Sequence, residues 1–437
     1  MRVYFIGIGG IGVSALAKYY LDKGHKVFGS DLVSSGITDD LKKRGAKIAV
    51  GRQKSENIKA GFNLVIFSPA VKQDNPELRE ARQKGIKCQS YPEALGELTK
   101  NNFTIAVTGT HGKSTTTCML GLILQKAGLD PTVIVGTKLK EFGNSNYRGG
   151  KSKYLIVEAC EHFESFLNYW PKIIVLTNIE EDHLDYYKNL NNIKRGFKKF
   201  ISHLPQDGFL IINGDDKNAF VLAKSFKYKT KFYSLGQPEN KKIKEVLKVP
   251  GSHNISNALA AFEAAKTLGV SNRMIFSALS EFRGSWRRFE EKIVKINKKN
   301  HKLIFDYGHH PTEIKATIEA AREKYPSKKI WCVFQPHQYQ RTHFLFNDFV
   351  RVFRSAPADK IIITDIYDVA GREEKNIKKL TSSKRLTESI GKSSVFYIKT
   401  EEMAWKYLGE NLKNGDVIII MGAGDIYEVF SGLIKKS

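Results

Sequence analysis

The stretch of this chain best suited to chemistry is Gly109-Thr110-His111-Gly112-Lys113-Ser114-Thr115-Thr116-Thr117. It follows Phe103-Thr104-Ile105-Ala106-Val107, which reads as a buried strand, and precedes a helical run from Met119 to Ala127 with Gly128 as its stop. A strand that feeds a glycine turn points backbone amides at phosphate. Lys113 adds positive charge, and the Ser114 hydroxyl after it can hold Mg²⁺. The strict G-x-x-x-x-G-K-[ST] pattern fails, because Val107 stands where its first glycine belongs. The physics of the loop survives that loss, so Gly109, Thr110, His111, Gly112, Lys113, Ser114 and Thr115 are expected to hold a nucleoside triphosphate.

A second glycine loop, Gly7-Ile8-Gly9-Gly10-Ile11-Gly12, lies between a short strand at residues 2–6 and a helix from Ile11 to about Asp22. A further strand from Lys26 leads to Ser30 and Asp31, with Asp31 placed 19 residues after Gly12. Glycines allow a tight turn and close backbone approach, and the helix start faces an anion. The loop predicts a nucleotide-type ligand without specifying NAD.

Other polar residues sit where apolar strands end, which is where open parallel sheets gather ligands. Ser68 follows Leu64-Val65-Ile66-Phe67, Glu158 follows Tyr154–Val157, and His183 lies beyond Ile173–Thr177. Glu158 could share Mg²⁺ with Ser114, and His183 could ligate a second cation. Mg²⁺ prefers oxygen, so a histidine ligand suggests a looser, Mn²⁺-tolerant site; a hydrogen-bonded surface histidine is the other reading. Two loops rich in His and Arg, Asp306-Tyr307-Gly308-His309-His310-Pro311 and Gln335 to Thr342, follow strands at 303–305 and 330–334. The acidic loop Asp365-Ile366-Tyr367-Asp368 follows a strand at 360–364.

The elements that must carry these residues alternate between strand and helix, which favours parallel sheets. Further strands are expected near 208–216 and 416–421, and a helix from about Asn254 to Leu268. A chain of 437 residues allows about three domains. The fold class is α/β: a Rossmann-like domain over 1–98, a P-loop-type domain over 99–294 and a second Rossmann-like domain over 295–437.

Net charge is +25, which first suggests nucleic acid. It is spread as +7 over residues 1–100, +13 over 101–300 and +5 over 301–437, with no basic arm. A generally basic surface or an anionic substrate fits that distribution better. Cys88, Cys118, Cys160 and Cys332 are far apart, which excludes a disulfide scaffold and fits a reducing compartment. Val3 to Ala17 is uncharged, but Gly7, Gly9, Gly10 and Gly12 make it unlike a secretory core. No run reaches a bilayer-spanning length. A cytoplasmic protein is expected, with no membrane or nucleic-acid partner, as a monomer or weak homodimer.

Over nearly its whole length the chain resembles the Mur ligases, ATP-dependent amide-bond ligases of peptidoglycan synthesis. Gly7 to Gly12 with Ser30-Asp31 resembles their UDP-binding segment. Thr108 to Thr117 is similar to their ATP loop, in a shorter G-T-x-G-K-[ST]-T form. Glu158-Ala159-Cys160-Glu161 and Asn178 to Tyr187 resemble metal and substrate segments, and Pro250 to Ala258 an adenine segment. Arg287-Arg288-Phe289-Glu290 is similar to the end of the family's central domain. Asp306 to Glu313, Phe334 to Thr342, Asp365 to Glu373 and Met421 to Ile426 are similar to its C-terminal domain. Phe305, Gln338 and Cys160 depart from the family pattern at positions where Asp, Arg and Asp are common. Lys198 and Lys199 lie near a lysine that related ligases carbamylate, but the L-alanine-adding branch does not typically use it.

The resemblance implies that ATP phosphorylates the lactyl carboxylate of UDP-N-acetylmuramate and that the amine of L-alanine attacks the acyl phosphate. Lys113 is then expected at the phosphates, Ser114 and Glu158 at one Mg²⁺, and His183 at a second. Asn254, Asn257 and Arg288 are expected at the nucleotide, with Asp306 beside them. Gly9, Gly10, Ile11, Gly12, Asp31 and Ser68 are expected at the UDP-sugar, with Glu161 and Asn178 also facing substrate. His309, His337 and Arg341 are expected towards the amino acid. Closure of domains is expected to gate catalysis. Three rivals are a ligase that attaches a recycled tripeptide to the same sugar, an NAD-dependent dehydrogenase and a nucleic-acid-binding ATPase. The segment 365–374 and the chain length favour L-alanine over the tripeptide. The dehydrogenase leaves Gly109 to Thr117 unexplained, and the ATPase lacks a concentrated basic stretch.

Overall fold

The computed structural model describes residues 1–369 and 376–436. Among the described residues, eighteen strands form three sheets. The first contains β1 (Arg2–Ile6), β2 (Lys26–Asp31), β3 (Lys47–Val50), β4 (Leu64–Phe67) and β5 (Lys87–Ser90) in the order β3-β2-β1-β4-β5, all parallel. The second contains β6 (Phe103–Thr108), β7 (Thr132–Leu139), β8 (Ser145–Arg148), β9 (Tyr154–Glu158), β10 (Ile173–Leu176), β11 (Phe209–Asn213) and β12 (Lys229–Tyr233). Its order is β12-β11-β10-β6-β9-β7-β8. The third contains β13 (Glu290–Ile296), β14 (Lys299–Asp306), β15 (Ile330–Phe334), β16 (Lys360–Ile363), β17 (Val395–Tyr397) and β18 (Val417–Met421), in the order β13-β14-β18-β15-β16-β17.

The parallel alternation expected from the sequence holds except at two edges, where β8 and β13 run antiparallel to β7 and β14. The β13–β14 hairpin turns through Asn297 and Lys298, both with positive φ (49° and 62°). That is the backbone twist a two-residue hairpin needs, here without the glycine that usually signals it. The third sheet therefore begins at Glu290, inside the segment Arg287–Glu290 that marks the end of the central block in sequence.

Why the central strands read as continuous apolar runs is clear in the third sheet. Along β15, Ile330, Cys332 and Phe334 enter one core cluster, while Trp331 and Val333 enter another on the opposite face. β18 does the same with Val417, Ile419 and Met421 against Ile418 and Ile420. A sheet covered on both faces leaves no position for alternating polar residues.

The first two sheets belong to one compact unit, which comprises Met1–Ile179, Lys194–Lys242 and Asn257–Phe282. Glu180–Ile193, Ile243–Ser256 and Arg283–Ser437 form a second unit around the third sheet. Within the first unit, the helix Ile11–Asp22 is tied to β8: Lys18 Nζ donates to Ser145 Oγ (3.2 Å) and Asn146 Oδ1 (3.0 Å). All four cysteines are free. Among the described residues, no helix is long and apolar enough to cross a membrane.

Candidate active site

In the first unit, β1 runs directly into the glycine loop. The amides of Gly7 and Ile8 donate to Ser30 O (2.9 and 3.0 Å), and Gly9 N donates to Asp31 Oδ2 (2.8 Å). A Cβ on Gly9 would lie 2.8 Å from that same carboxylate oxygen. Ser68, at the end of β4, lies against Gly7. Gly10 caps the helix that starts at Ile11 without any side-chain hydrogen bond, so its first amides remain available to an anion. Gly12 packs on the ring of Tyr91, which would lie 2.9 Å from an added Cβ. Sequence reasoning missed Tyr91.

The glycine loop Gly109 to Thr117 is built the same way. Gly109 (φ +131°) and Gly112 (φ +82°) take backbone conformations that favour glycine. Asn178 braces the turn: its Oδ1 accepts from His111 N (2.8 Å), its carbonyl accepts from Thr110 N (3.0 Å) and its Nδ2 donates to His111 O (3.1 Å). Thr177 Oγ1 also donates to His111 O (2.6 Å). Thr115 is buried in the helix Lys113–Lys126 that the loop opens. An added Cβ on Gly112 would sit 2.2 Å from Asn257 Oδ1, so Asn257 abuts this loop. Gly112→Ala combines that clash with positive φ. It is expected to destabilise the protein by about 1–2 kcal/mol and to raise the KM for ATP about tenfold or more. Urea unfolding and initial rates against ATP check both.

Lys113, Ser114, Glu158 and Glu161 come together at the mouth of this loop. Lys113 Nζ donates to Gly109 O (2.6 Å) and Thr110 O (2.9 Å) and pairs with Glu161 Oε2 at 3.0 Å. Burial opposes its charge, but Glu161, foremost among its neighbours, outweighs burial and holds the ammonium above its usual range. Ser114 Oγ and Gly136 N both donate to Glu158 Oε2, at 2.9 and 2.8 Å. A hydroxyl and a carboxylate in contact form the oxygen donor set a hard cation takes. Cys160 does not replace a carboxylate here: burial, then Glu161, pushes its thiol up to about 12, so it is neutral at pH 7.

In the second unit, two clusters form at the ends of β14 and β15. Asp306 Oδ2 accepts from Phe289 N (2.9 Å) and its Oδ1 from Gly308 N (2.7 Å). Burial raises its pKa, opposed first by Arg288. Arg288 Nη1 pairs with Glu313 Oε1 at 3.1 Å, and Glu313 Oε2 accepts from His309 N (3.0 Å). Asn254 donates from Nδ2 to Pro250 O (2.7 Å) on the helix Ser252–Thr267. The second cluster joins Arg341, His337, His183 and Asp182. Arg341 Nε lies 3.1 Å from Asp182 Oδ1, and its Nη1 lies 3.3 Å from His337 Nδ1. His337 stacks on Tyr367 at 5.6 Å. Glu313 and Asp182 went unread in the sequence; the acid directly before His183 was the available signal. Of the segment 365–374, residues 370–374 lie outside the described residues.

Burial pushes His253 and His309 down to about 4, helped by Arg288 and Arg341 respectively. The unfolded chain takes up protons on both near the usual 6.5, whereas the fold does so only near 4. The unfolded state then binds more protons, so stability falls as pH drops through that window. Both imidazoles keep minor exposure, which limits the effect to about 1–2 kcal/mol each. Urea midpoints at pH 7 and pH 5 measure the slope, and a His253→Gln, His309→Gln double variant should flatten it.

Two nucleotide-type glycine loops, one backed by a lysine and a hydroxyl–carboxylate pair, define a nucleotide-dependent enzyme of the P-loop type. Three family models cover the chain: "Mur ligase family, catalytic domain" over residues 2–103, "Mur ligase middle domain" over 107–265 and "Mur ligase, glutamate ligase domain" over 287–424. The UDP-N-acetylmuramate–L-alanine ligase of Acetivibrio thermocellus is 42% identical over 99% of this chain and 96% of its own length. The solved UDP-N-acetylmuramate-alanine ligase of Thermotoga maritima is 27% identical with a TM-score of 0.81, over 100% of this chain and 99% of that one. A murein peptide ligase from Psychrobacter arcticus shares the fold at 24% identity and a TM-score of 0.73, over 100% and 98% of the two chains. The chain belongs to the Mur ligase family, and it is an ATP-dependent ligase.

Proposed function

We propose that this enzyme joins L-alanine to the lactyl carboxylate of UDP-N-acetylmuramate, with ATP cleaved to ADP and phosphate, in peptidoglycan precursor synthesis. The observation that carries this reading is the convergence of Lys113, Ser114, Glu158 and Glu161 on one phosphate loop. The Acetivibrio thermocellus relative carries the same activity in its name.

A carboxylate oxygen of the sugar acid attacks the γ-phosphorus of ATP, and ADP leaves. The amine of L-alanine then attacks the acyl carbon, and phosphate departs with the oxygen that had attacked. Little covalent chemistry is left for side chains, so positioning and charge neutralisation carry the rate. Lys113 moves from the Gly109 and Thr110 carbonyls to the β- and γ-phosphates. The loop amides between Gly109 and Ser114 hold the phosphate oxygens, with Asn178 keeping the loop in shape. Asn254, Asn257 and Arg288 take the nucleoside, and Asp306 fixes the turn before Phe289. Gly9 to Gly12, Asp31 and Ser68 take the UDP-sugar. His309, His337 and Arg341 take the amino acid, whose carboxylate suits a guanidinium.

Ser114 and Glu158 would hold one Mg²⁺ and His183 would ligate a second ion, for which Mn²⁺ would be an acceptable substitute. Bound there, the metal supplies charge neutralisation at the phosphates. The domains divide at about residues 98 and 294, the second boundary falling within β13 (Glu290–Ile296). Free cysteines support a cytoplasmic location.

Phosphate release tests the reading with ATP, Mg²⁺, UDP-N-acetylmuramate and single amino acids. Release with L-alanine, and weaker release with glycine or L-serine, is expected. Release only with the tripeptide would select the recycling ligase, and nucleic-acid-stimulated hydrolysis without the sugar would select an ATPase.

A further inference from the structure

Among the described residues, Arg341 is anchored through two of its three guanidinium nitrogens. Within the second unit its Nε pairs with Asp182 Oδ1 (3.1 Å), and its Nη1 meets His337 Nδ1 and O (both 3.3 Å). Nη2 takes no part in these contacts. Asp182 is a hub for more than this pair. Its Oδ1 accepts from His183 N (2.7 Å), and its Oδ2 lies 3.7 Å from His183 Nε2 and 4.0 Å from His309 Nε2. The carboxylate and the guanidinium are both largely buried, at 6% and 8% residue exposure. A fixed guanidinium presents the edge that its anchors leave over, because its nitrogens are rigidly coplanar. Asp182, His183, Gln338 and Arg341 also line one small pocket.

We propose that Asp182 is the positioning residue for the amino-acid substrate: it clamps Arg341 by Nε, so that Nη2 is the edge left for the substrate carboxylate. The inference rests on the proposed ligation of L-alanine. Asp182 does not touch the substrate. It replaces conformational freedom of a long side chain with one geometry, and the benefit appears in amino-acid affinity and not in phosphoryl transfer.

A buried ion pair with a purely structural role would also be costly to break, so the test separates binding from folding. KM values for L-alanine, ATP and UDP-N-acetylmuramate are measured with thermal midpoints for wild type, Asp182→Asn, Asp182→Glu, Arg341→Lys and the Asp182→Asn, Arg341→Lys double variant. Asp182→Asn is expected to raise the KM for L-alanine roughly 10- to 100-fold and to leave the other two KM values within about twofold. Asp182→Glu, which keeps the charge, recovers part of the loss. On the Arg341→Lys background, Asp182→Asn adds no more than about twofold.

An unchanged KM for L-alanine would overturn the proposal. So would a uniform rise in all three KM values, an effect additive with Arg341→Lys, or a change confined to Mg²⁺ activation. If Asp182→Asn does not fold, Asp182→Glu is read alone: a rise confined to L-alanine supports the clamp, and no rise refutes it. Wild type inactive with L-alanine would defeat the proposed function itself, which is a separate outcome.

Discussion

Lys113→Ala is expected to lower turnover by about 10³-fold or more while UDP-N-acetylmuramate binding stays within a few-fold of wild type. The ammonium is the positive charge that touches both loop carbonyls and the buried Glu161 carboxylate. Removing it leaves Glu161, with a side chain only 4% exposed, without its cation. That costs about 3–5 kcal/mol of stability. Lost folding and lost chemistry must therefore be told apart. Lys113→Ala with Glu161→Gln removes both charges, and it should regain most of the thermal midpoint without regaining turnover. The loop Gly7 to Gly12, proposed for the UDP-sugar, lies on a different sheet, so sugar binding measured by calorimetry should survive. Loss of both functions would mean that the division of labour between the loops is wrong.

Glu158→Gln should be nearly as damaging through a different parameter. The amide keeps the shape that receives Ser114 Oγ and Gly136 N, but it loses the charge that a divalent cation needs. A fall in kcat of about 10²-fold is expected, with the Mg²⁺ concentration for half-activation raised about tenfold or more. Titrating Mg²⁺ at saturating ATP and sugar reads both. An unchanged Mg²⁺ dependence would take Glu158 out of the metal site.

The glycine loops could be read in the sequence because nothing else fits them. Gly109 and Gly112 have positive φ and no room for a Cβ, so residue type and backbone geometry coincide. Strands such as Ile330–Phe334 were equally plain, since burial on both faces leaves an uninterrupted apolar run. The edges were less plain. β8 is the polar segment Ser-Asn-Tyr-Arg, paired on one side only, and the β13 hairpin turns on Asn297-Lys298 in place of the usual glycine. Asn178 is expected from the sequence to face substrate; its side chain also braces the loop Gly109 to Thr117, which local sequence does not signal. Asp182 stayed hidden because its role depends on Arg341, 159 positions later in the chain. Pairings across such separations leave no local pattern in one sequence.

The +25 first suggested nucleic acid. If the enzyme acts on ATP and a UDP-sugar acid, as proposed, a basic surface would assist capture of these polyanions. The proposed function places specificity in the loops and strand-end side chains.

The most direct test of ligation through an acyl phosphate follows the carboxylate oxygen. UDP-N-acetylmuramate carrying ¹⁸O in both lactyl carboxylate oxygens is incubated with the enzyme, ATP, Mg²⁺ and L-alanine, and the released phosphate is analysed by mass. One ¹⁸O per phosphate is the expected result, with the other retained in the new amide. Phosphate free of ¹⁸O, at the same rate of L-alanine incorporation, would contradict it.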